Sequence, residues 1–211
     1  LVDALQQDFD GHEPLRQRIR NTLPAYGNDD DTVDTLVRDW ADFLTKSTQA
    51  NTVGPHAYVP GFFCWVMHER LGSETGATPD GRRAGEPFAD GAGPSQGRDL
   101  RGPTAAVLST TKWCHRPALG GVVHNARFSS SVVQTPEGQH GLRSVIETYL
   151  QRGGFEIQIN VISTDQLREA QEHPERFQDL IVRVAGYSDY FTHLNAKMQD
   201  EIIRRTEFAL A

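Results

Sequence analysis

The sequence predicts an α/β fold, and three stretches carry that prediction. "FEIQINVIS" (155–163) puts Phe155, Ile157, Ile159 and Val161 at alternate positions, on one face of a strand. "TDQLREAQEHPE" (164–175) follows as an amphipathic helix, opened by Thr164 or Asp165 as its cap and closed ahead of Pro174. "DLIVRVAG" (179–186) returns to a short strand. Strand, helix, strand at this spacing is a βαβ unit, which pairs its strands in parallel.

The remaining elements follow from the N-terminus. "LVDALQQDFDGHEPLRQRIRN" (1–21) is helical in pattern, with Leu1, Leu5, Phe9, Leu15 and Ile19 on its apolar side. It starts at Leu1 rather than Met and reads as the interior of something, so a longer parent protein is expected. After "YGNDDD" (26–31), Asp31 is expected to cap a helix whose buried stripe is Val33, Leu36, Val37, Trp40, Phe43 and Leu44. "HAYVPGFFCWVMHERLG" (56–72), broken by Pro60 and Gly61, reads as a buried strand. From Gly72 to Gly102 the chain is dense in Gly, Pro and Asp, which excludes regular helix or strand over that length. Such a long loop is functional or disordered, or else ordered by its own Arg and Asp side chains bonding to backbone. "LRSVIETYLQRGG" (142–154) is a helix stopped by Gly153 or Gly154. Asn195 caps a last helix, "AKMQDEIIRRTEF" (196–208), with Met198, Ile202 and Ile203 inward.

Composition narrows the function classes. The 211 residues are 37% hydrophobic and 23% charged, with a net charge of −7. That balance supports a real core and argues against nucleic acid as a partner, which requires a basic face. No apolar run is long enough to span a bilayer and no leader pattern is visible. Two cysteines make no disulfide framework, so a reducing cytoplasm is the expected compartment.

Several motifs invite chemistry and do not support it. "GPSQG" (93–97) fits G-x-S-x-G, but Pro94 precedes the serine and both flanks are loop, not strand and helix. The Gly-rich stretch lacks the phosphate-loop pattern, and no histidine pair has metal-ligand spacing, so no metal is expected. Cys114 and His115 are adjacent and so point to opposite faces of an extended segment. Cys64, among Phe62, Phe63, Trp65 and Val66, reads as a small core hydrophobe. His124, Asn125 and Arg127 read as strand-edge hydrogen-bonders ahead of cavity-lining residues.

One stretch breaks its local rule. In "RVAGYSDYF" (183–191), Val184, Tyr187, Tyr190 and Phe191 suit a half-buried strand, and Gly186 weakens it. A glycine there marks a bulge, a turn or a close backbone approach. Four segments, in order, give it a second meaning: "YGNDDD" (26–31), "TPDGRRAGEPFADGAGPSQGRD" (78–99), "GPTAAVLSTTK" (102–112) and "RVAGYS" (183–188). Together they resemble the glycyl radical enzymes, the family of pyruvate formate-lyase.

That resemblance implies a protein radical on the Cα of Gly186, with Arg183, Val184, Ala185, Tyr187 and Ser188 supporting its loop. The residue type suits the chemistry. A Cα radical delocalised over both flanking amides must flatten, and glycine has no Cβ to crowd the plane. The bulky neighbours are expected to form a dry pocket around it. The resemblance further implies a ten-stranded α/β barrel, of which this is the C-terminal half. Residues 1–101 would end the pyruvate formate-lyase-like barrel domain and residues 102–211 would form the glycine radical domain. It implies no bound cofactor, activation by a radical S-adenosylmethionine enzyme, a small-molecule substrate, and a homodimer of the full enzyme. Neither Cys64 nor Cys114 matches the family's hydrogen-abstracting cysteine, so that residue is expected outside this chain. "RVAGYS" lies nearer the dehydratase, decarboxylase and succinate-adding branches than pyruvate formate-lyase, and "LGGVVHNARFSSSV" (119–132) faintly resembles the last two. The alternatives are a free-standing subunit that replaces a damaged radical domain, and a non-catalytic α/β module.

Overall fold

The computed structural model describes residues 1–210. Two short helices open it, α1 (Val2–Gln6) and α2 (Glu13–Thr22). The continuous helical pattern is broken between them at Asp8 and Phe9, which take φ of +50° and +60°. The turn buries Phe9 completely against Ala4 and Ile19, which a straight helix would not do. The long helix α3 (Asp31–Ala50) is capped by Asp30 rather than Asp31: its carboxylate accepts from Thr32 N at 3.0 Å. Asp30→Ala is expected to cost about 1 kcal/mol, read as a lower urea midpoint with an unchanged m value.

The predicted stripe of α3 is not the buried face. Trp40 is 63% and Phe43 58% exposed, with Leu36 and Leu44 also outward, while Asp34, Ala41 and Thr45 are buried. Polar contacts set this rotation. Asp34 accepts from Ser109 Oγ at 2.8 Å and pairs with Lys112 at 2.9 Å, so the helix turns its aspartate inward.

The apolar 56–72 segment is no buried strand. A two-residue hairpin, β1 (Thr52–Val53) with β2 (His56–Ala57), is exposed. The chain then makes one bridge, Phe62 to Val122, and enters α4 (Met67–Ser73). Pro60 and Gly61 prevent a ladder, and Gly61 lets Gly120 approach so closely that a Cβ would sit 3.0 Å from its carbonyl carbon. The Gly-rich loop is ordered by its own side chains. Arg82 alone donates to the carbonyls of Gly72, Thr75, Gly76, Arg83 and Glu86.

After α5 (Gly102–Thr110), the core is a parallel sheet. Strand β3 (Val123–Phe128) is central, helix α6 (Pro136–Gln151) crosses over, and β4 (Glu156–Val161) pairs with β3 in parallel, Val123 opposite Glu156. Thus His124, Asn125 and Arg127 belong to a central strand, not an edge. The helix α7 (Thr164–Glu172) is capped by Ser163, whose hydroxyl accepts from Gln166 N at 3.2 Å; neither Thr164 nor Asp165 does this. β5 (Ile181–Arg183) does not add to the sheet beside β4, as the βαβ reading expected. It turns back on itself and pairs antiparallel with β6 (Ser188–Tyr190). The last helix, α8 (Ala196–Arg204), is capped by Asn195 as predicted but ends before Thr206, and β7 (Glu207–Phe208) joins the other side of β3 in parallel.

The sheet order is therefore β4-β3-β7, an α/β arrangement with a parallel sheet. One apolar cluster joins α5, α6 and the sheet around Phe128 and Tyr149. A second joins α7, β5 and α8 around Leu167, Val184, Phe191 and Ile202. No helix is long and apolar enough to cross a membrane among the described residues.

Candidate functional site

Gly186 sits at the tip of the β5–β6 hairpin. Val184 N–H donates to Tyr187 O at 2.9 Å, so residues 184–187 form the tight turn, and Gly186 takes φ of +87°. That left-handed backbone is open to glycine and strained for any other residue. The loop's incoming end and its tip are gripped from below. Asn160 of β4 bonds both backbone groups of Arg183, accepting from its N–H at 2.8 Å and donating to its carbonyl at 2.9 Å. Gln158, two residues earlier on the same face, accepts from Gly186 N–H at 3.3 Å. A side chain therefore takes the place of a ladder partner, which explains why β5 lies beside β4 without joining its sheet.

A second grip comes from α8. Arg205 donates to Val184 O at 2.8 Å and to Arg183 O at 3.4 Å. Its guanidinium is held in turn by both carboxylate oxygens of Glu201, at 3.1 and 2.8 Å, and Glu201 is 1% exposed. Gln96 of the Gly-rich loop donates to Glu201 at 2.8 Å. Burial alone would raise the Glu201 carboxyl, but Arg205 and His68 outweigh it and hold it below the usual carboxylate range. Asp90 is pushed up by its burial, with Arg205 pulling the other way.

His68 closes this network. Its Nε2 lies 3.8 Å from Glu201 and its Nδ1 3.3 Å from the Cys64 sulfur. Burial opposes its charge, but the Cys64 and Glu201 contacts prevail and raise it to about 10. A base whose folded pKa is raised contributes stability that is full below the unfolded value near 6.5 and is lost as pH rises through the folded one. The chain is accordingly expected to lose roughly 1–3 kcal/mol between pH 6.5 and 10. Urea midpoints across that range check this, and a slope that survives in His68→Gln would exclude His68 as its source.

The structure places the six sequence-predicted positions on one hairpin, with differing surroundings. Val184 and Ala185 are buried, Tyr187 is half-buried, and Arg183, Gly186 and Ser188 are exposed. The expected dry pocket is not formed by the glycine's own neighbours. Val184 and Phe191 point into the apolar cluster with α7 and α8, and Tyr190 is exposed. What lies against Gly186 is Trp65 and Phe63: a Cβ built on it would meet Trp65 Cδ1 at 3.7 Å and Phe63 Cδ2 at 4.0 Å. Cys64, between them, is half-buried and faces His68 and the Gly91 N–H rather than an apolar core.

The four ordered sequence segments meet in space. Asn28 donates to the Arg98 carbonyl at 2.7 Å, and Lys112 pairs with Asp29 and Asp31 at 2.7 Å each. The first three segments thus form one polar joint, and Gln96 of the second reaches the Arg205 grip on the fourth. His124 stacks on Tyr149, Asn125 bonds Asp90, and Arg127 holds Thr164, Glu207 and two carbonyls, so all three serve the scaffold. No group of three or more His, Cys, Asp or Glu side chains is arranged to hold a metal among the described residues.

Sequence reasoning passed over Asn160, Gln158, Glu201, Arg205, Trp65 and Phe63 as members of this site. Two signals pointed to four of them. Gln158 and Asn160 are polar at period two within an apolar strand, and Glu201 and Arg205 stand at i, i+4 beside the apolar stripe of the last helix. No sequence pattern brings Trp65 to Gly186.

Comparison with known proteins agrees with this arrangement. The family model described as glycine radical matches residues 88–192, and the one described as pyruvate formate lyase-like matches residues 1–68. A probable dehydratase, YbiW of Escherichia coli K12, is 41% identical over 100% of this chain and 27% of its own length. Trans-4-hydroxy-L-proline dehydratase of Clostridioides difficile is 38% identical over 98% of this chain and 26% of its own. Among solved structures, the glycerol-bound B12-independent glycerol dehydratase of Clostridium butyricum superposes with a TM-score of 0.92 at 41% identity, covering 99% of this chain and 26% of the other. The hydroxyproline dehydratase of Clostridioides difficile, with substrate bound, superposes with a TM-score of 0.94 at 37% identity, covering 99% and 26%. The chain spans about a quarter of the length of these relatives.

Proposed function

The chain belongs to the glycyl radical enzyme family, and from that premise we propose that it stores an organic radical on Gly186 and passes it to a catalytic cysteine outside these 211 residues. The observation that carries this reading is the hairpin tip itself. Gly186 has a left-handed backbone, and the strand leading into its turn is gripped at Arg183 and Val184 by Asn160 and by Arg205. Loss of one Cα hydrogen leaves a single unpaired electron shared between the two flanking amides. A glycine held at a turn flattens without moving a side chain. No cofactor within the chain is needed, because the radical is made from the backbone.

The reaction we propose is that of a dehydratase or related lyase, in which the cysteine takes a hydrogen atom from a small molecule and returns it at the end of turnover. Relatives named as dehydratases, an isethionate sulfite-lyase of Bilophila wadsworthia at 38% identity and an indoleacetate decarboxylase of Tractidigestivibacter scatoligenes at 36% support this class. It stands ahead of pyruvate formate-lyase chemistry. In this reading residues 1–101 close the barrel domain, residues 102–211 are the radical domain, and the whole enzyme is a cytoplasmic, oxygen-sensitive homodimer.

Electron paramagnetic resonance tests the central claim. Anaerobic incubation with a radical S-adenosylmethionine activase is expected to give a doublet, split by the one hydrogen left on the Gly186 Cα. Protein labelled with α-deuterated glycine is expected to give a narrow single line instead. A splitting unchanged by the label would place the radical on another residue type.

A further inference from the structure

Beyond the radical loop, between α2, the Gly-rich loop and α8, lies a cleft of about 440 Å³. Its walls carry four arginines, Arg16, Arg20, Arg82 and Arg204. Two of these are accounted for: Arg16 pairs with Glu13 at 3.1 Å and Arg204 with Glu86 at 3.0 Å. The other two are not. Arg82 is 6% exposed, has no carboxylate within ion-pair distance, and leaves its buried Nε without a partner among the described residues. Its other nitrogens are spent on backbone carbonyls, and its plane lies 4.3 Å over the Phe88 ring. Arg20 donates no side-chain hydrogen bond and makes no ion pair there either, and it stands close enough to Arg98 to depress that group further, after burial has already done so. Arg82 is a buried cation without a counter-charge, which is costly, and Arg20, half-buried on the same cleft, adds a second unpaired positive charge that a bound anion would offset.

We propose that this cleft binds a small organic oxyanion, a carboxylate or phosphate group, between Arg20 and Arg82. The carboxylates on the same walls do not meet that need. Glu86 is taken by Arg204 and Glu201 by Arg205, and Asp80, held by Thr78 Oγ at 2.5 Å, makes no ion pair with Arg20 or Arg82. The volume suits a ligand of metabolite size. Gln96 and the Arg82 carbonyl network make the floor stiff, so the site is formed before the ligand arrives. This inference does not depend on the radical assignment at Gly186.

Calorimetric titration of the 211-residue chain tests it, with inorganic phosphate and malonate as probes in separate arms. Chloride is used to hold ionic strength constant, since screening alone would imitate weak binding. Saturable binding of either probe is expected, phosphate alone pointing to a phosphate ester and malonate alone to a carboxylate. Arg20→Gln keeps the side-chain stem that packs on Gly81 and is expected to weaken binding at least tenfold, a difference of about 1.4 kcal/mol. Arg204→Gln, half exposed on the facing wall, is expected to weaken it about threefold. Arg143→Gln, outside the cleft, is expected to change nothing. Absence of binding by either probe overturns the proposal, as does binding that both cleft variants leave unchanged.

Discussion

Gly186→Ala is expected to erase the radical doublet completely while leaving the chain folded. The two effects separate because the space around Gly186 is not tight. An added Cβ would meet Trp65 at 3.7 Å, an ordinary contact, so no clash forces the hairpin apart. The structural cost is the backbone: φ of +87° in an L-residue costs about 1–2 kcal/mol, lowering the melting temperature by a few degrees in a chain of this size. The chemical cost is of another order. Alanine has one Cα hydrogen instead of two, and its methyl crowds the plane that the radical must adopt. Thermal melts and paramagnetic spectra of the same preparation check both halves. A doublet in the folded variant would remove Gly186 from the proposal, and an unfolded variant would contradict the geometry described for the turn.

Arg205→Ala is expected to give the largest loss of stability, about 3–5 kcal/mol, because it leaves Glu201 charged and buried without its partner. It also strips the donor from the Val184 carbonyl and one of the two donors from the Arg183 carbonyl. The melting temperature should fall on the order of 10 °C. Arg205→Lys should recover little, since an ammonium cannot span Glu201 and a carbonyl with one planar fork. Adding Glu201→Gln to Arg205→Ala is expected to restore part of the loss, and this double-mutant cycle isolates the uncompensated charge from the lost hydrogen bonds. Backbone amide exchange at Ala185 to Tyr187 reads the loop directly and should accelerate in Arg205→Ala. A stability loss below about 1 kcal/mol would mean that the grip is ornamental.

The parts of this molecule legible in the sequence are those set by local chemistry. The Asn195 cap, the Gly153 stop of α6, the break before Pro174 and the alternating strand 156–161 all rest on contacts within a few residues. Gly186 stands out for the same reason, as a residue that contradicts its own surroundings. Features that depend on a distant neighbour's identity are not legible in this way. The stripe on α3 has helical period, yet Asp34 sets which side faces in through Ser109 and Lys112, 75 and 78 residues away in the numbering by simple subtraction. Thr164 and Asp165 are good capping residues by type, but Ser163 occupies the geometric cap and Thr164 is drawn to Glu207 and Arg127 instead.

The sequence by itself determined the α/β class, the Asn195 cap of the last helix, the position of the one glycine with a chemical rationale, and, through four ordered segments, the family. Those depend on residue type and short spacing, which a chain carries without folding. The tertiary structure alone decided that β5 turns back as a hairpin instead of entering the sheet, that Asn160 and Arg205 hold its incoming end, and that Trp65 rather than the glycine's own aromatic neighbours lies beside its tip. Each of these joins residues far apart along the chain through side-chain hydrogen bonds and close packing, and such contacts exist only once the sheet and α8 have brought the partners within reach.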